Sequence, residues 1–433
     1  MSESLEYWLT RQQAAHPRAI DLGLERVSAV ARRLGLDQPA CTVITVAGTN
    51  GKGSTAAHLE ALLLAAGAST GLFTSPHFIR YNERIRLQGR EVEDAALVSA
   101  FEHIEAARGA ETLTFFEYNT LAALWLFAER GVRFAVLEVG LGGRLDATNL
   151  LDADAAVLCS VGLDHRDWLG ETLEQIGAEK AGIFRPGRPA VLGTAQMPAS
   201  VYAAIERLGA RAVVAERDYR WQVGTDGRWS YHGAHLRLSD LSPSRLEGAI
   251  QYRNAASALA AIEALADGPA APQARTVLAA LDARAVSAAL GSVHLAGRFQ
   301  VVPGEFEWIL DIAHNPPAAE VFAAELARRP SCGRTLAVVG ILGDKDAAQI
   351  GAALAPVLDE WFLCALPGPR GTSAQALAQR LAAVARAPKL FDSVTDACAA
   401  ASRAARPGDR VIVCGSVYTV GPALQWLGVY SAR

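Results

Sequence analysis

The sequence predicts an α/β protein of two domains, the first built on a mostly parallel sheet, and three observations carry the prediction. Apolar, β-branched runs alternate with helical patterns from Thr42 onward, and the alternation resumes in the last third of the chain. Several of these runs end in polar clusters, and open α/β sheets bind their ligands at the carboxyl ends of their strands. At 433 residues the chain also exceeds one ordinary core.

Composition narrows the class. With 51% apolar and 20% charged residues the chain reads as soluble and globular, and a net charge of −4 gives no reason to expect nucleic acid or an anionic membrane as partner. Met1-Ser2-Glu3-Ser4-Leu5-Glu6 shows no basic region followed by an apolar one, and no apolar run approaches a membrane span. A cytoplasmic location is expected. The cysteines, at 41, 159, 332, 364, 398 and 414, follow no C-x-x-C or metal-like spacing. Runs such as Val411-Ile412-Val413-Cys414 predict buried, reduced thiols.

In chain order, residues 4–15 and 21–34 read as amphipathic helices separated by His16-Pro17. Thr42 through Ala47 then reads as a buried strand. It breaks into Gly48-Thr49-Asn50-Gly51-Lys52-Gly53-Ser54-Thr55 and continues as a helical pattern over about 53–66. Strand, glycine loop and helix N-terminus together make an anion site: backbone N–H groups approach a phosphate and the lysine reaches its outer oxygens. A hydroxyl of Ser54 or Thr55 is placed to ligate Mg²⁺. The strict P-loop pattern is not met, because Val46 stands at its first glycine and Gly53 separates the lysine from the hydroxyls. An ordinary glycine-rich turn is the plain alternative, and the strand–loop–helix context argues against it.

Residues 69–74 read as the next strand, ending in a polar loop that carries Arg80 and Arg84. A helix over about 114–130 leads to the strand 134–139, in which Glu138 is a lone carboxylate that needs a partner if buried, and Mg²⁺ is a suitable one. A salt-bridged structural glutamate is the alternative. The strand 155–160 ends near His165, again at a carboxyl edge, and a helix over 172–181 brings Lys180, which reads on its own as a helix C-terminal lysine. Residues 211–238 look like an antiparallel hairpin region with a turn at Asp226-Gly227. Helices are expected around Asn254 and over 273–287, then an interdomain linker over 291–298. Strands at 307–312, 335–340, 360–366 and 410–415 would build the second domain. Their ends carry Asp311-Ile312-Ala313-His314-Asn315-Pro316, Gly343-Asp344-Lys345-Asp346 and Gly415-Ser416. Ends facing the phosphate loop would close a cleft.

These residues, in this order over nearly the whole chain, resemble the folylpolyglutamate synthases, most closely the bacterial enzymes that are also dihydrofolate synthases, within the ATP-dependent Mur ligase superfamily. The stretches that carry the resemblance are Asp21–Val27, the loop Gly48–Ser54, Ser75-Pro76-His77, Leu137–Asn149, Asp164-His165 with Trp168-Leu169-Gly170, Glu179–Phe184, Gly297–Gln300, Asp311–Pro316 and Gly415–Val420. The short phosphate loop is the family's own form. Two departures are visible. Val417-Tyr418 stands where the family often has Phe-His, and Ile341 with Gly343 replaces a more usual Met and His.

The resemblance implies an N-terminal P-loop ATPase-type domain with a mostly parallel sheet (1–290), the linker, and a smaller Rossmann-like α/β domain, the glutamate ligase domain (299–433). It implies an ATP site at Gly48, Thr49, Asn50, Gly51, Lys52, Gly53, Ser54, Thr55, Asn254, Arg298, Asp311 and His314. Ser54, Glu138, His165 and a carbamylated Lys180 would hold magnesium, two ions in all, which replaces the plain reading of Lys180. Lys52, His165 and Lys180 would serve catalysis. Arg80, Thr114, Phe116, Asp146 and Ala147 would bind dihydropteroate, with Phe116 stacking on the pterin and Asp146 accepting from its N–H groups. The implied reaction joins L-glutamate to dihydropteroate or to a reduced folate through an acyl phosphate. The expected partners are these small molecules, with no nucleic acid and no membrane, and the expected state is a monomer. A cell-wall Mur ligase fits less well, since only two helices precede the loop, and a nucleotide switch would not need the second domain's polar strand ends.

Overall fold

The structure, a computed structural model, describes residues 4–329 and 333–430. It contains two α/β bodies and a small antiparallel sheet. The first body is an eight-stranded sheet of β1 (Thr42–Ala47), β2 (Thr70–Phe73), β3 (Ile85–Leu87), β4 (Arg90–Glu91), β5 (Phe134–Glu138), β6 (Ala155–Leu158), β7 (Pro189–Leu192) and β8 (Arg211–Val214). The order is β4-β3-β2-β5-β1-β6-β7-β8, parallel from β2 to β8, with β3 and β4 antiparallel at one edge.

Every residue of β1 is buried because both faces are covered, as a β-branched strand without polar alternation requires. Ile44 and Val46 pack toward the helices Lys52–Ala65 and Ile250–Leu265, whereas Val43 packs toward Asp94–Arg108 and Phe115–Glu129. β1 sits between β5 and β6. The carboxyl ends of these neighbours therefore open side by side on one edge, and that edge carries the loop after Ala47, Glu138, and the stretch leading to His165.

The expected hairpin region divides differently. Arg211–Val214 is β8, the last strand of the main sheet. The antiparallel unit is β9 (Arg220–Val223), β10 (Trp229–His232) and β11 (Arg237–Leu241), with the turn at Gly224–Arg228 closed by a 2.7 Å hydrogen bond from the Gly224 N–H to the Arg228 carbonyl. The helix expected over 273–287 is two, Ala271–Ala280 and Ala283–Ser292, because Asp282 caps the second by accepting from the Ala285 N–H at 2.7 Å. The helix expected from residue 21 begins only at Glu25, since Asp21 is drawn into pairs with Arg26 and His16.

The second body is a six-stranded sheet, β12 (Gln300–Val302), β13 (Glu307–Leu310), β14 (Thr335–Val339), β15 (Glu360–Cys364), β16 (Lys389–Phe391) and β17 (Arg410–Cys414), in the order β12-β13-β17-β14-β15-β16. All neighbours are parallel except β12 with β13. The expected strands are present; β12 and β16 are edge strands of three residues, too short to announce themselves.

The bodies touch beside the β2 loop. Phe78 lies against Gly297 and Gly421 so closely that a Cβ at Gly421 would come within 2.9 Å of the Phe78 carbonyl. The Tyr430 hydroxyl donates to Glu83 at 2.7 Å. No described helix is long and apolar enough to cross a membrane. Cys159, Cys364, Cys398 and Cys414 are buried free thiols and Cys41 is partly buried; Cys332 lies outside the described residues.

Candidate active site

Between the two bodies lies a cleft of about 570 Å³ whose floor is the loop after β1. Gly48 and Gly51 adopt φ of +152° and +90°, and a Cβ on Gly51 would sit 3.0 Å from Asn254 Oδ1, so glycine is required there for both conformation and space. The loop is pinned to the end of β6. The Thr49 hydroxyl donates to the Gly162 carbonyl at 3.1 Å and accepts from the Gly162 N–H at 2.9 Å, while the Asn50 N–H donates to Ser160 Oγ at 3.1 Å. The helix that follows starts at Lys52 with no side-chain cap, so no side chain competes for its first N–H groups, as an anion site needs. Lys52 folds back, donating to the Gly48 and Thr49 carbonyls at 3.0 and 3.3 Å. Two residues of the expected phosphate loop do not line the cleft: Gly48 borders the smaller cavity beside it, and Thr55 lies beneath, against Cys159 Sγ.

Glu138 is buried at the end of β5, as its lone position suggested. Its Oε2 accepts from the Thr74 hydroxyl and from the Ser75 N–H at 3.2 Å, and it makes no ion pair with any described residue. It borders the start of the loop helix, 3.4 Å from where a Cβ on Gly53 would be. A buried carboxylate facing a cleft beside Ser54 with no cationic side chain paired to it suits a hard divalent ion. Among the described residues no three His, Cys, Asp or Glu side chains cluster to form a complete protein cage. The fit is therefore to an ion held by few side chains with water and substrate completing its shell, the usual manner of Mg²⁺.

A second, smaller cavity of about 30 Å³ adjoins the cleft, lined by Lys52, Asp164, His165, Lys180 and His314. Lys180 is buried, donates to the Gly48 carbonyl at 3.2 Å, and has its pKa pulled down to about 7, first by burial and then by the Lys52 charge. His165 is held neutral down to about pH 4, chiefly by burial, which leaves one ring nitrogen unprotonated and able to ligate a metal.

The second body closes the cleft from above. Arg298 and Asp311 lie together, with burial pushing the guanidinium pKa down and the carboxyl pKa up; Asp311 accepts from the Phe299 and Ala313 N–H groups at 2.8 and 2.9 Å. Asn315 exchanges two hydrogen bonds with Asn50, both at 3.0 Å. Asn254 is buried and donates to Gln251.

The far end of the cleft is apolar and aromatic. Thr114 caps the helix Phe115–Glu129 in a reciprocal box with Glu117, and Phe116 packs on Phe73 with ring centroids 5.6 Å apart. Asp146 and Ala147 line the wall, but the Asp146 carboxylate is largely occupied by its own loop. It accepts from the Leu141 N–H at 2.8 Å and from the Thr148 N–H and hydroxyl at 3.1 and 2.7 Å. Arg80, expected here, instead points to the exposed side, 3.7 Å from Glu91 and 3.6 Å from Asp94. Its loop companion Arg84 lines the cleft, is buried over the Tyr81 and Phe115 rings, and forms no ion pair with any described residue. The sequence placed Asp164, Asn315 and Lys345 at strand ends without assigning them roles. Their convergence depends on how the two bodies meet, for which no local signal exists.

Residues 46–216 match the Mur ligase middle domain and residues 297–417 match the Mur ligase glutamate ligase domain. The chain is 45% identical over 422 residues to the dihydrofolate synthase/folylpolyglutamate synthase of Escherichia coli, covering 97% of this chain and 95% of that one. Among solved structures, E. coli FolC in complex with DHPP and ADP superposes with a TM-score of 0.90 at 43% identity, covering 99% of this chain and 98% of that one. A bifunctional folylpolyglutamate synthase/dihydrofolate synthase with Mn, AMPPNP and L-glutamate bound gives a TM-score of 0.89 at 42% identity with the same coverage.

Proposed function

Because the chain belongs to the dihydrofolate synthase/folylpolyglutamate synthase family of Mur ligases, we propose that its cleft joins L-glutamate to dihydropteroate, and to reduced folates already carrying glutamate, with ATP and a divalent metal. It is an ATP-dependent carbon–nitrogen ligase. The observation that carries the reading is the continuity of one cleft from a glycine-and-lysine phosphate loop to an aromatic recess, with a second α/β body closing over the middle.

A carboxylate is a poor electrophile, so the site must activate it. The γ-phosphoryl group passes from ATP to a substrate carboxylate oxygen, giving ADP and an acyl phosphate. The glutamate amine then attacks the acyl carbon, and phosphate leaves from the tetrahedral intermediate. Gly51, Lys52 and Gly53 hold the phosphates, and the Lys52 ammonium offsets charge on the transferring group. Asn254, Arg298, Asp311 and His314 hold the nucleotide. Arg84, cationic and free of a carboxylate, faces an anionic group of the substrate, while Thr114, Phe116 and Ala147 shape the pterin recess. Ser54, Glu138, His165 and Lys180 would hold magnesium, two ions in all, which would supply positive charge to the phosphoryl transfer.

Lys180 holds its ion as a carbamate. The amine, whose pKa falls to about 7, is in good part unprotonated there; it adds CO₂ and releases a proton, and a small cavity lies beside it. The second body excludes water from the acyl phosphate. The protein works as a monomer in the cytoplasm, where its free thiols stay reduced.

The test is ADP release by purified protein given ATP, Mg²⁺, glutamate and either dihydropteroate or a reduced folate in separate reactions. Product in both assigns both activities. Product from the folate alone leaves a folylpolyglutamate synthase, and ADP release independent of either acceptor overturns the ligase reading.

A further inference from the structure

Asp164 gathers hydrogen-bond donors from both bodies. From the second come Lys345 Nζ, 2.6 Å from Oδ1, and Asn315 Nδ2, 2.9 Å from Oδ2, with His314 Nε2 at 3.4 Å from Oδ2. From its own loop the backbone N–H of His165 donates to Oδ1 at 2.9 Å. One carboxylate oxygen thus carries both the Lys345 ammonium and the N–H that fixes the start of His165. The pair is shielded from water, with 6% of the Lys345 side chain and 8% of the Asp164 side chain exposed, so its geometry is held firmly and its loss would strand a buried charge. His165 itself sits at φ +52°, a left-handed conformation that a histidine keeps only when its surroundings impose it. Asp164 also connects, through Asn315, to Asn50 of the phosphate loop.

We propose that Asp164 is a positioning residue that sets the His165 imidazole only when Lys345 docks from the second body, so that closure of the cleft and readiness of the metal site are one event. The inference rests on the reading of His165 as a metal-holding residue. Without Lys345, Asp164 Oδ1 would keep only the His165 N–H, and the carboxylate, drawn toward Asn315 and His314 on its other oxygen, would hold the left-handed turn at His165 less firmly. Asp164 and Lys345 therefore act as a unit, and removing either should do the same damage.

The test is a double-mutant cycle of Asp164→Asn and Lys345→Met, with Lys345→Arg as the conservative variant and circular dichroism to confirm folding. Each single change should lower kcat about 10- to 100-fold, the range for removing a residue that orients a metal ligand. KM for ATP should change far less, the double variant should be no worse than the poorer single, and Lys345→Arg should recover most of the loss. Mn²⁺ affinity, read by electron paramagnetic resonance with ADP present, should weaken by a similar factor in Asp164→Asn and Lys345→Met. Additive losses would overturn the proposal, and so would unchanged kcat and Mn²⁺ affinity with only a lower Tm. If Asp164→Asn does not fold, the two Lys345 variants decide the question by the same readouts. Mn²⁺ affinity is measured without turnover, so failure here is distinguishable from failure of the ligase reading.

Discussion

Lys52 and Lys180 direct their amino groups at one acceptor, the carbonyl oxygen of Gly48, at 3.0 and 3.2 Å. Two ammonium groups on one carbonyl repel each other, and Lys180, the buried one, yields its proton near pH 7. The unfolded chain keeps that proton until its ordinary pKa of 10.5, so the folded state binds fewer protons between those limits and this site's contribution to stability rises with pH across the window. The free amine is also the form that takes up CO₂. Enzyme equilibrated with ¹³C-bicarbonate should show a carbamate resonance that Lys180→Ala lacks, and the inactive variant should regain some turnover with a short carboxylate such as acetate. A spectrum without that resonance sinks the assignment.

Lys52 stands in the phosphate loop, its amino group donating to the Gly48 and Thr49 carbonyls where the transferring phosphate would lie. Lys52→Ala should lower kcat by about 10²-fold or more, the scale for one preorganised electrostatic donor, with folding intact. Near-normal turnover would remove Lys52 from the mechanism.

Gly140 lies under the Phe116 ring, where an added Cβ would come within 2.5 Å of Cζ. Gly140→Ala must therefore push the ring into the recess. The expected result is a raised KM for dihydropteroate with the ADP dissociation constant unchanged. An unaltered KM would place the pterin elsewhere.

Asp146 ties its loop together with bonds to Leu141 and Thr148. Asp146→Ala leaves buried donors unpaired and should cost about 1–3 kcal/mol of stability. Because the loop as a whole shifts, both the dihydropteroate and the folate reactions should suffer. Loss confined to dihydropteroate, with an unchanged urea midpoint, would show instead a direct contact to the pterin.

His58, His77 and His165 are each pushed down from 6.5 to about 4, chiefly by burial. As pH falls through that window the unfolded chain takes up protons that the folded chain refuses, so stability drops by up to about 1.4 kcal/mol per pH unit for each histidine. Urea midpoints between pH 7 and 4.5 should fall, and His77→Gln should flatten the slope. The same slope in both proteins would refute the shift at His77.

The phosphate loop, the strands around it and the polar ends of those strands were legible in the sequence, because each is made by consecutive residues whose apolar runs, glycines and hydroxyls impose their own conformation. The resemblance drew its force from the same short stretches. The tertiary structure alone chose between Arg80 and Arg84. The turn Tyr81–Arg84 sends one to solvent acids and the other over aromatic rings into the cleft, and composition treats the two alike. It alone divided residues 211–241 between a parallel edge strand and an antiparallel sheet, since pairing partners decide that and a short strand does not name its neighbour. It alone also brought Asp164 to Lys345, 181 positions away, and Asn50 to Asn315, 265 positions away. Local propensity acts over a few residues, whereas these contacts exist only after two separately folded sheets meet, and what joins them is the geometry of the packed faces.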